Sequence, residues 1–198
     1  MVMNGIIFDL DGTLIDTFDT QLKSWREAFE KVGSTLDTDK FINNFGKSYK
    51  DFTFSIDPSL TNLDINEVIQ TNKKLMQERS NEYSLFPESK KILETLNEKR
   101  ITCMIASSNP RHVSESLLKQ FEIDHLIGKV VGPDDVKNGK PAPDMLNLAL
   151  THHKIHPSNS MMVGDTAHDI LAGKNASTKT ALILRNEEQQ STISSDPD

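Results

Sequence analysis

Short apolar runs that stop abruptly at polar loops recur along this chain. Gly5–Phe8 ends at Asp9, and the same form returns at Ile101–Ala106, Ile127–Val131, Ser160–Val163 and Thr180–Leu184. Runs this short and this uniformly apolar predict strands buried on both faces. Amphipathic stretches lie between most of them, at Ser89–Lys99, His112–Phe121, Pro143–His152 and Ala167–Asn175. Strands alternating with helices predict an α/β fold, a parallel sheet covered by helices on both faces. Ligands of such sheets bind beyond the carboxyl ends of the strands, so the loops after the strands are where chemistry is expected.

One segment breaks the alternation. Between Asp16 and Leu85 no buried strand is evident, and Phe18, Leu22, Trp25, Phe29 and Val32 are spaced 4, 3, 4 and 3 apart. That spacing draws one stripe along a helix. Asn66–Arg79 is a second helical candidate, with apolar Val68, Ile69, Leu75 and Met76. The pattern predicts a helical module at 16–85 inserted into an α/β core made of 1–15 and 86–198. The tail after Arg185 is polar and is expected to be loose.

Composition adds limits. A chain of 198 residues can build one good-sized core with a small appended module. The formal charge of −7 gives no electrostatic reason to expect a nucleic-acid partner. No apolar run is long enough to span a bilayer, and the first residues lack the basic and apolar segments of a signal peptide, so a cytoplasmic location is expected. Cys103 is the only cysteine, which excludes an internal disulfide.

Four loops behind predicted strands carry unusual polar residues. Asp9-Leu10-Asp11-Gly12-Thr13 sets two carboxylates two apart, and Gly12 permits the turn that would let both serve one site. It is equally readable as a strand-end turn. Ser107-Ser108-Asn109-Pro110 leads into a helix and suits an anion, or is an ordinary N-cap. Lys140, between Gly139 and Pro141, can present its charge to a phosphate, or is a solvated turn lysine. Asp165 and Asp169 lie four apart at a strand end. With Asp9 they can hold a hard cation such as Mg2+, or Asp165 caps the following helix and Asp169 favours its first turn.

Taken jointly, the motifs FDLDGT, ASSN, GKPAPD and VGDTAHD resemble the haloacid dehalogenase superfamily in its phosphatase branch, over about Gly5 to Leu184. The resemblance implies a Rossmann-like core with an inserted helical cap, here 16–85. It implies a Mg2+-dependent phosphatase acting on a small phosphorylated metabolite. Asp9 would be the nucleophile, forming an aspartyl phosphate, and Asp11 the acid and base, also ligating the metal through its backbone. Thr13, Ser107, Ser108, Asn109 and Lys140 would bind the phosphate. Asp165 would complete the metal site, with Asp169 a ligand or a partner behind the ligands. Lys47 and Tyr49, within Asn44–Lys50, are candidate substrate contacts of the cap.

Asp11 argues against dehalogenation, because the dehalogenases of the superfamily lack an aspartate there. The rival within the superfamily is a phosphomutase of the β-phosphoglucomutase type. That branch carries a histidine where this chain has Gln21, an arginine where it has Tyr49, and Glu-Asp where it has Gly164-Asp165. Members resembling phosphoglycolate phosphatases and bacterial pyrophosphatases carry a glycine where this chain has Ser177. A rival of another class is a binding module that kept the fold and lost the activity. His152, His153 and His156 are read as solvated, His168 as bordering the site without ligating, Cys103 as a small core residue and Trp25 as packing within the cap.

Overall fold

The computed structural model of the protein describes residues 3–45 and 47–185. The tail expected to be loose, and Gly46 of the candidate substrate loop, lie outside the described residues. In chain order the first elements are β1 (Gly5–Phe8), β2 (Ile15–Asp16), α1 (Phe18–Lys31), α2 (Thr38–Asn44), α3 (Tyr49–Ile56) and α4 (Asn62–Glu78). Then follow β3 (Ser84–Leu85), α5 (Ser89–Glu98), β4 (Thr102–Ala106), α6 (Arg111–Gln120), β5 (Lys129–Val131), α7 (Asp144–His153), β6 (Ser160–Gly164), α8 (Ala167–Asn175) and β7 (Lys179–Leu182). Packing divides them into two units, one running to Asp16 and resuming at Leu85, the other Thr17–Ser84.

The first unit is built on a five-stranded sheet in the order β5-β4-β1-β6-β7, and its pairings are parallel. Chain order runs outward from β1 to β4 and β5, then crosses to β6 on the other side of β1. The crevice beside β1 is therefore the switch point of the sheet. Register keeps the strand ends level, because Phe8 pairs with both Ile105 and Val163. Asp9, Ser107 and Asp165 follow within two residues of those partners, so three of the motif loops open side by side.

Strand alternation divides the core between the two faces. Ile7, Met104 and Met162 share one face and pack with Met145, Leu146, Ala149 and Leu150 of α7 and Ala172 of α8. Phe8, Ile105 and Val163 point to the other face and are buried; α5 packs on β4 and α6 on β5. After α8 the chain turns at Ser177, whose φ of 58° lies in the left-handed region. Thr178 N donates to Gly173 O at 3.0 Å and Ser177 N to Lys174 O at 3.0 Å, closing the helix end. A serine holds a conformation here that glycine would take without steric cost.

The second unit is four helices around an aromatic core. Leu22, Trp25 and Phe29 of the expected stripe are buried, with Phe18 and Val32 packed at its edge. Trp25 sits 4.5 Å from the Phe52 ring and 5.4 Å from Tyr49, centroid to centroid. Two helices here are not marked by any long apolar stripe: α2 starts where Asp37 accepts from Lys40 N, and α3 where Ser48 accepts from Asp51 N. Helix α4 begins at Asn62 rather than the expected Asn66. Thr61 and Asp64 form a reciprocal capping box that starts it one turn earlier. Among the described residues, no helix is long and apolar enough to cross a membrane.

Candidate active site

The first loop folds back on itself immediately after β1. Asp9 N donates to Val163 O at 2.9 Å, which seats it against β6. Leu14 N and Ile15 N both donate to Leu10 O at 2.9 Å, closing a tight turn. Gly12 takes φ 75° within it, and a β-carbon there would fall on the Asp165 carboxylate. Turn geometry and close approach thus both demand glycine. The turn brings in Thr13, whose hydroxyl donates to Asp165 Oδ1 at 3.0 Å.

Lys140 is not a solvated turn lysine. Its side chain is 3% exposed, with Nζ 2.9 Å from Asp9 Oδ1 and 2.6 Å from Asp169 Oδ1. Nor does Asp165 cap α8. The N-cap is Thr166, in a capping box with Asp169, whose Oδ2 accepts from Thr166 N at 3.1 Å and Thr166 Oγ1 at 2.6 Å. Both Asp169 oxygens are therefore engaged, one by the cap and one by Lys140. The cap stands against β6 only because residue 164 has no side chain: a β-carbon on Gly164 would overlap the Asp169 carboxylate. Gly164→Ala should accordingly displace Asp169 and with it Lys140. We expect a loss of ~10²-fold or more in turnover, since misplacing reacting groups by ~1 Å costs that much, with the protein still folded by circular dichroism.

The Ser107 loop also departs from an ordinary N-cap. The N-cap of α6 is Pro110, without a side-chain cap bond, and Ser107 Oγ instead accepts from Asn109 N at 3.1 Å. Ser107 is buried and Ser108 exposed. Asn109, expected on the phosphate, donates through Nδ2 to Asp11 Oδ2 at 2.6 Å. Its side chain thus orients the second aspartate of the first loop.

Electrostatics follow from this crowding. Burial pushes the Asp9 carboxyl up to about 7, with Asp169 and Asp11 adding repulsion and Lys140 opposing. Asp165 is raised well above the usual carboxylate range, chiefly by burial and then by Asp9 and Asp169. Burial pulls the Lys140 ammonium down, but Asp169 and Asp9 outweigh it and hold the group above its ordinary value. Asp9, Asp165 and Asp169 each bring an oxygen within 4.8 Å of the others. With all three carboxylates ionised, they and the ammonium would hold −2 (−3 + 1) in a buried space. Asp165 Oδ2 is buried there without a hydrogen-bond partner among the described residues. A hard divalent cation answers both the charge and the unpartnered oxygen.

Of the other candidates, Lys47, Tyr49 and Trp25 belong to the helical unit. Lys47 is exposed and donates to Asn44 Oδ1 at 2.7 Å and Ser55 Oγ at 2.9 Å. Tyr49 is half-buried in the aromatic core of the helical unit, with Lys73 Nζ 5.3 Å from its ring centre. Trp25 is buried there too, as the packing reading has it. Burial pushes the Cys103 thiol up to about 11, in keeping with an inert core residue. His152 and His156 are exposed, as expected; His153 is not solvated, for its ring is half-buried with Nε2 turned toward Gly128.

Arg185 escaped the sequence reading. It lies three residues past the end of β7 and donates from Nε to Gly12 O at 3.2 Å and from Nη2 to Thr13 O at 2.5 Å. Its only signal in the sequence is that position, at the same end of the sheet as the motif loops.

Comparison with known proteins gives the family and the fold. The family model described as haloacid dehalogenase-like hydrolase matches residues 6–183. The chain is similar to the pyrophosphatase PpaX of Anoxybacillus flavithermus, 34% identical over 91% of this chain and 83% of that protein. It is also similar to the PpaX of Halalkalibacterium halodurans, 32% identical over 92% and 84%. Among solved structures, a haloacid dehalogenase-like hydrolase from Streptococcus pneumoniae superposes with a TM-score of 0.83 at 23% identity, covering 96% of this chain and 89% of that one.

Proposed function

The chain belongs to the haloacid dehalogenase-like hydrolases, and from that premise we propose that it is a Mg2+-dependent phosphatase working through a phosphorylated Asp9. One observation carries the reading: Asp9 is held against Lys140 within a buried cluster of three carboxylates that leaves an Asp165 oxygen unpartnered among the described residues. A bound Mg2+ would supply positive charge where a carboxylate and a phosphate would otherwise repel each other. Asp9, Asp165 and the Asp11 carbonyl would hold it, with Asp169 behind them orienting Lys140.

The chain's own residues account for the rest. An Asp9 oxygen attacks phosphorus while the bond to the leaving oxygen breaks, and Asp11 gives that oxygen its proton. Asp11 then takes a proton from water, which attacks phosphorus and breaks the bond to Asp9. Lys140 and Ser107 would bind the phosphoryl oxygens, with Ser108 at the loop's exposed rim. Thr13 keeps Asp165 turned inward, and Asn109 keeps Asp11 oriented for both proton transfers.

The substrate class we assign is a small phosphorylated metabolite. The relatives' name puts pyrophosphate first on a test panel, beside phosphoglycolate and small sugar phosphates. Phosphate release from none of the panel with Mg2+ present would overturn the proposal in favour of a non-catalytic binding protein. Lys47 is the side chain we assign to substrate choice, and Lys47→Ala should reorder rates across the panel. A phosphomutase has less support: it carries a glutamate at position 164, where Asp169 leaves no room even for a methyl group.

Metal dependence has a pH signature. Folding raises the Asp9 carboxyl to about 7, so a proton on it stabilises the folded form. That contribution is full below the unfolded value near 3.8 and is lost as pH rises through about 7. Mg2+ must compete with this proton, so it should raise the melting temperature far more at pH 8 than at pH 5. Exhaustive EDTA should abolish turnover at pH 8 and added Mg2+ restore it; full activity in EDTA would sink the assignment.

A further inference from the structure

Arg185 makes a set of contacts that the reaction scheme does not use. Its guanidinium carbon lies 3.4 Å from the centre of the Phe86 ring, and Nη1 is 2.6 Å from Glu88 Oε1. Stacked on one side and paired at one end, the planar group has its remaining edge directed at the first loop. There Nε takes the Gly12 carbonyl and Nη2 the Thr13 carbonyl. Phe86 and Glu88 belong to the segment by which the chain re-enters the α/β unit, and Phe86 N donates to Leu14 O at 3.1 Å. The guanidinium therefore ties two separated stretches of one unit, 86–88 and its own, to the turn that carries Asp9, Asp11 and Thr13.

We propose that Arg185 is a positioning residue for phosphoryl transfer, setting the first loop through the Gly12 and Thr13 carbonyls. The inference rests on the proposed phosphatase function. In a trans peptide the C=O and the following N–H point in opposite directions. A guanidinium that fixes the Gly12 carbonyl therefore also aims the Thr13 N–H away from itself. Fixing the Thr13 carbonyl does the same for the peptide that leads to Leu14. Two planes set in this way fix the backbone of Thr13, which lies between them, and with it the end of the turn that begins at Asp11. Arginine suits the task because its rigid fork spans two acceptors while a third nitrogen meets Glu88. Lysine offers one point charge and cannot meet all three.

The test uses full-length Arg185→Ala and Arg185→Lys with p-nitrophenyl phosphate and Mg2+, and hydrogen exchange of the 12–15 amides. Arg185→Ala should lose ~10- to 100-fold in kcat, with KM and the Mg2+-induced rise in melting temperature nearly unchanged. Added guanidinium chloride at millimolar concentration should restore part of the loss, and Arg185→Lys should lie between alanine and wild type. Exchange of the 12–15 amides should quicken in Arg185→Ala while that of β1 does not. An unchanged kcat, or a fall matched by loss of folded protein and not rescued by guanidinium, overturns the inference. If Arg185→Ala does not fold, Arg185→Lys decides: wild-type kcat and exchange in it overturn the inference. If the wild-type chain itself hydrolyses nothing, the phosphatase reading fails, and loop exchange alone still decides whether Arg185 sets this turn.

Discussion

Asp9→Asn should remove all measurable turnover while raising the melting temperature of the metal-free protein at pH 8. The two effects have one origin. Asp9 is 8% exposed and shares its surroundings with Asp165 and Asp169, so ionising it is costly, and burial is the largest cause. A carboxyl moved from 3.8 to about 7 represents roughly 4 kcal/mol by the usual conversion, an upper bound for a group so strongly coupled to its neighbours. Asparagine has nearly the same shape and carries no charge. Lys140 keeps Asp169 at 2.6 Å, so the ammonium is not left unpaired. A gain of even ~2 kcal/mol should lift the midpoint by ~4–8 °C in a chain of this size. An amide, however, cannot attack phosphorus, and one cation ligand is lost. The variant should form no phosphoenzyme and should need far more Mg2+ for any thermal shift. Wild-type turnover in Asp9→Asn would overturn the mechanism. A lower melting temperature at pH 8 would show that the carboxylate is a stabilising partner of Lys140, contrary to the electrostatic argument.

What was legible in the sequence was whatever has a periodic or local signature. Strands such as Gly5–Phe8 and Ser160–Gly164 announce themselves because both faces are buried and nearly every position is apolar. Helix α8 matches its expected span, since its ends are written locally in Thr166 and in the turn at Ser177. The motif loops were found as a set because each stands at a strand end. Short α2 and α3 carry too few turns to draw a stripe, and only their caps mark them. The division of labour within the loops was hidden as well. Asn109 serves Asp11, and Lys140 meets Asp9 and Asp169, because such choices depend on which side chain the fold brings within about 3 Å, the reach of a hydrogen bond. Arg185 was invisible for the same reason: its partners in the first loop lie 172 and 173 positions away and are carbonyls, which every residue type supplies.

The second aspartate of the first loop should fail in a way that separates it from the first. Asp11→Asn keeps an oxygen able to accept the Asn109 Nδ2–H bond, now 2.6 Å, so the loop should hold its shape. It keeps the backbone carbonyl as well, so Mg2+ should still raise the melting temperature. The carboxyl that moves the proton is gone, typically a loss of ~10²–10⁴-fold in rate. The loss should fall unequally on the two steps. With p-nitrophenyl phosphate the leaving group departs without a proton, so transfer to Asp9 can proceed. The water that must release Asp9 still needs a base, and the amide that replaces the Asp11 carboxylate offers none. Asp11→Asn should therefore give a burst of nitrophenol approaching one equivalent per chain, followed by a slow steady state. An acid-quenched sample should carry one phosphoryl group, mapped by mass spectrometry to the peptide holding Asp9. With an alkyl phosphate, whose leaving oxygen must be protonated, both steps should slow and the burst should vanish. A full steady-state rate with either ester, or a phosphoryl group on any other residue, would remove Asp11 from the proposed role.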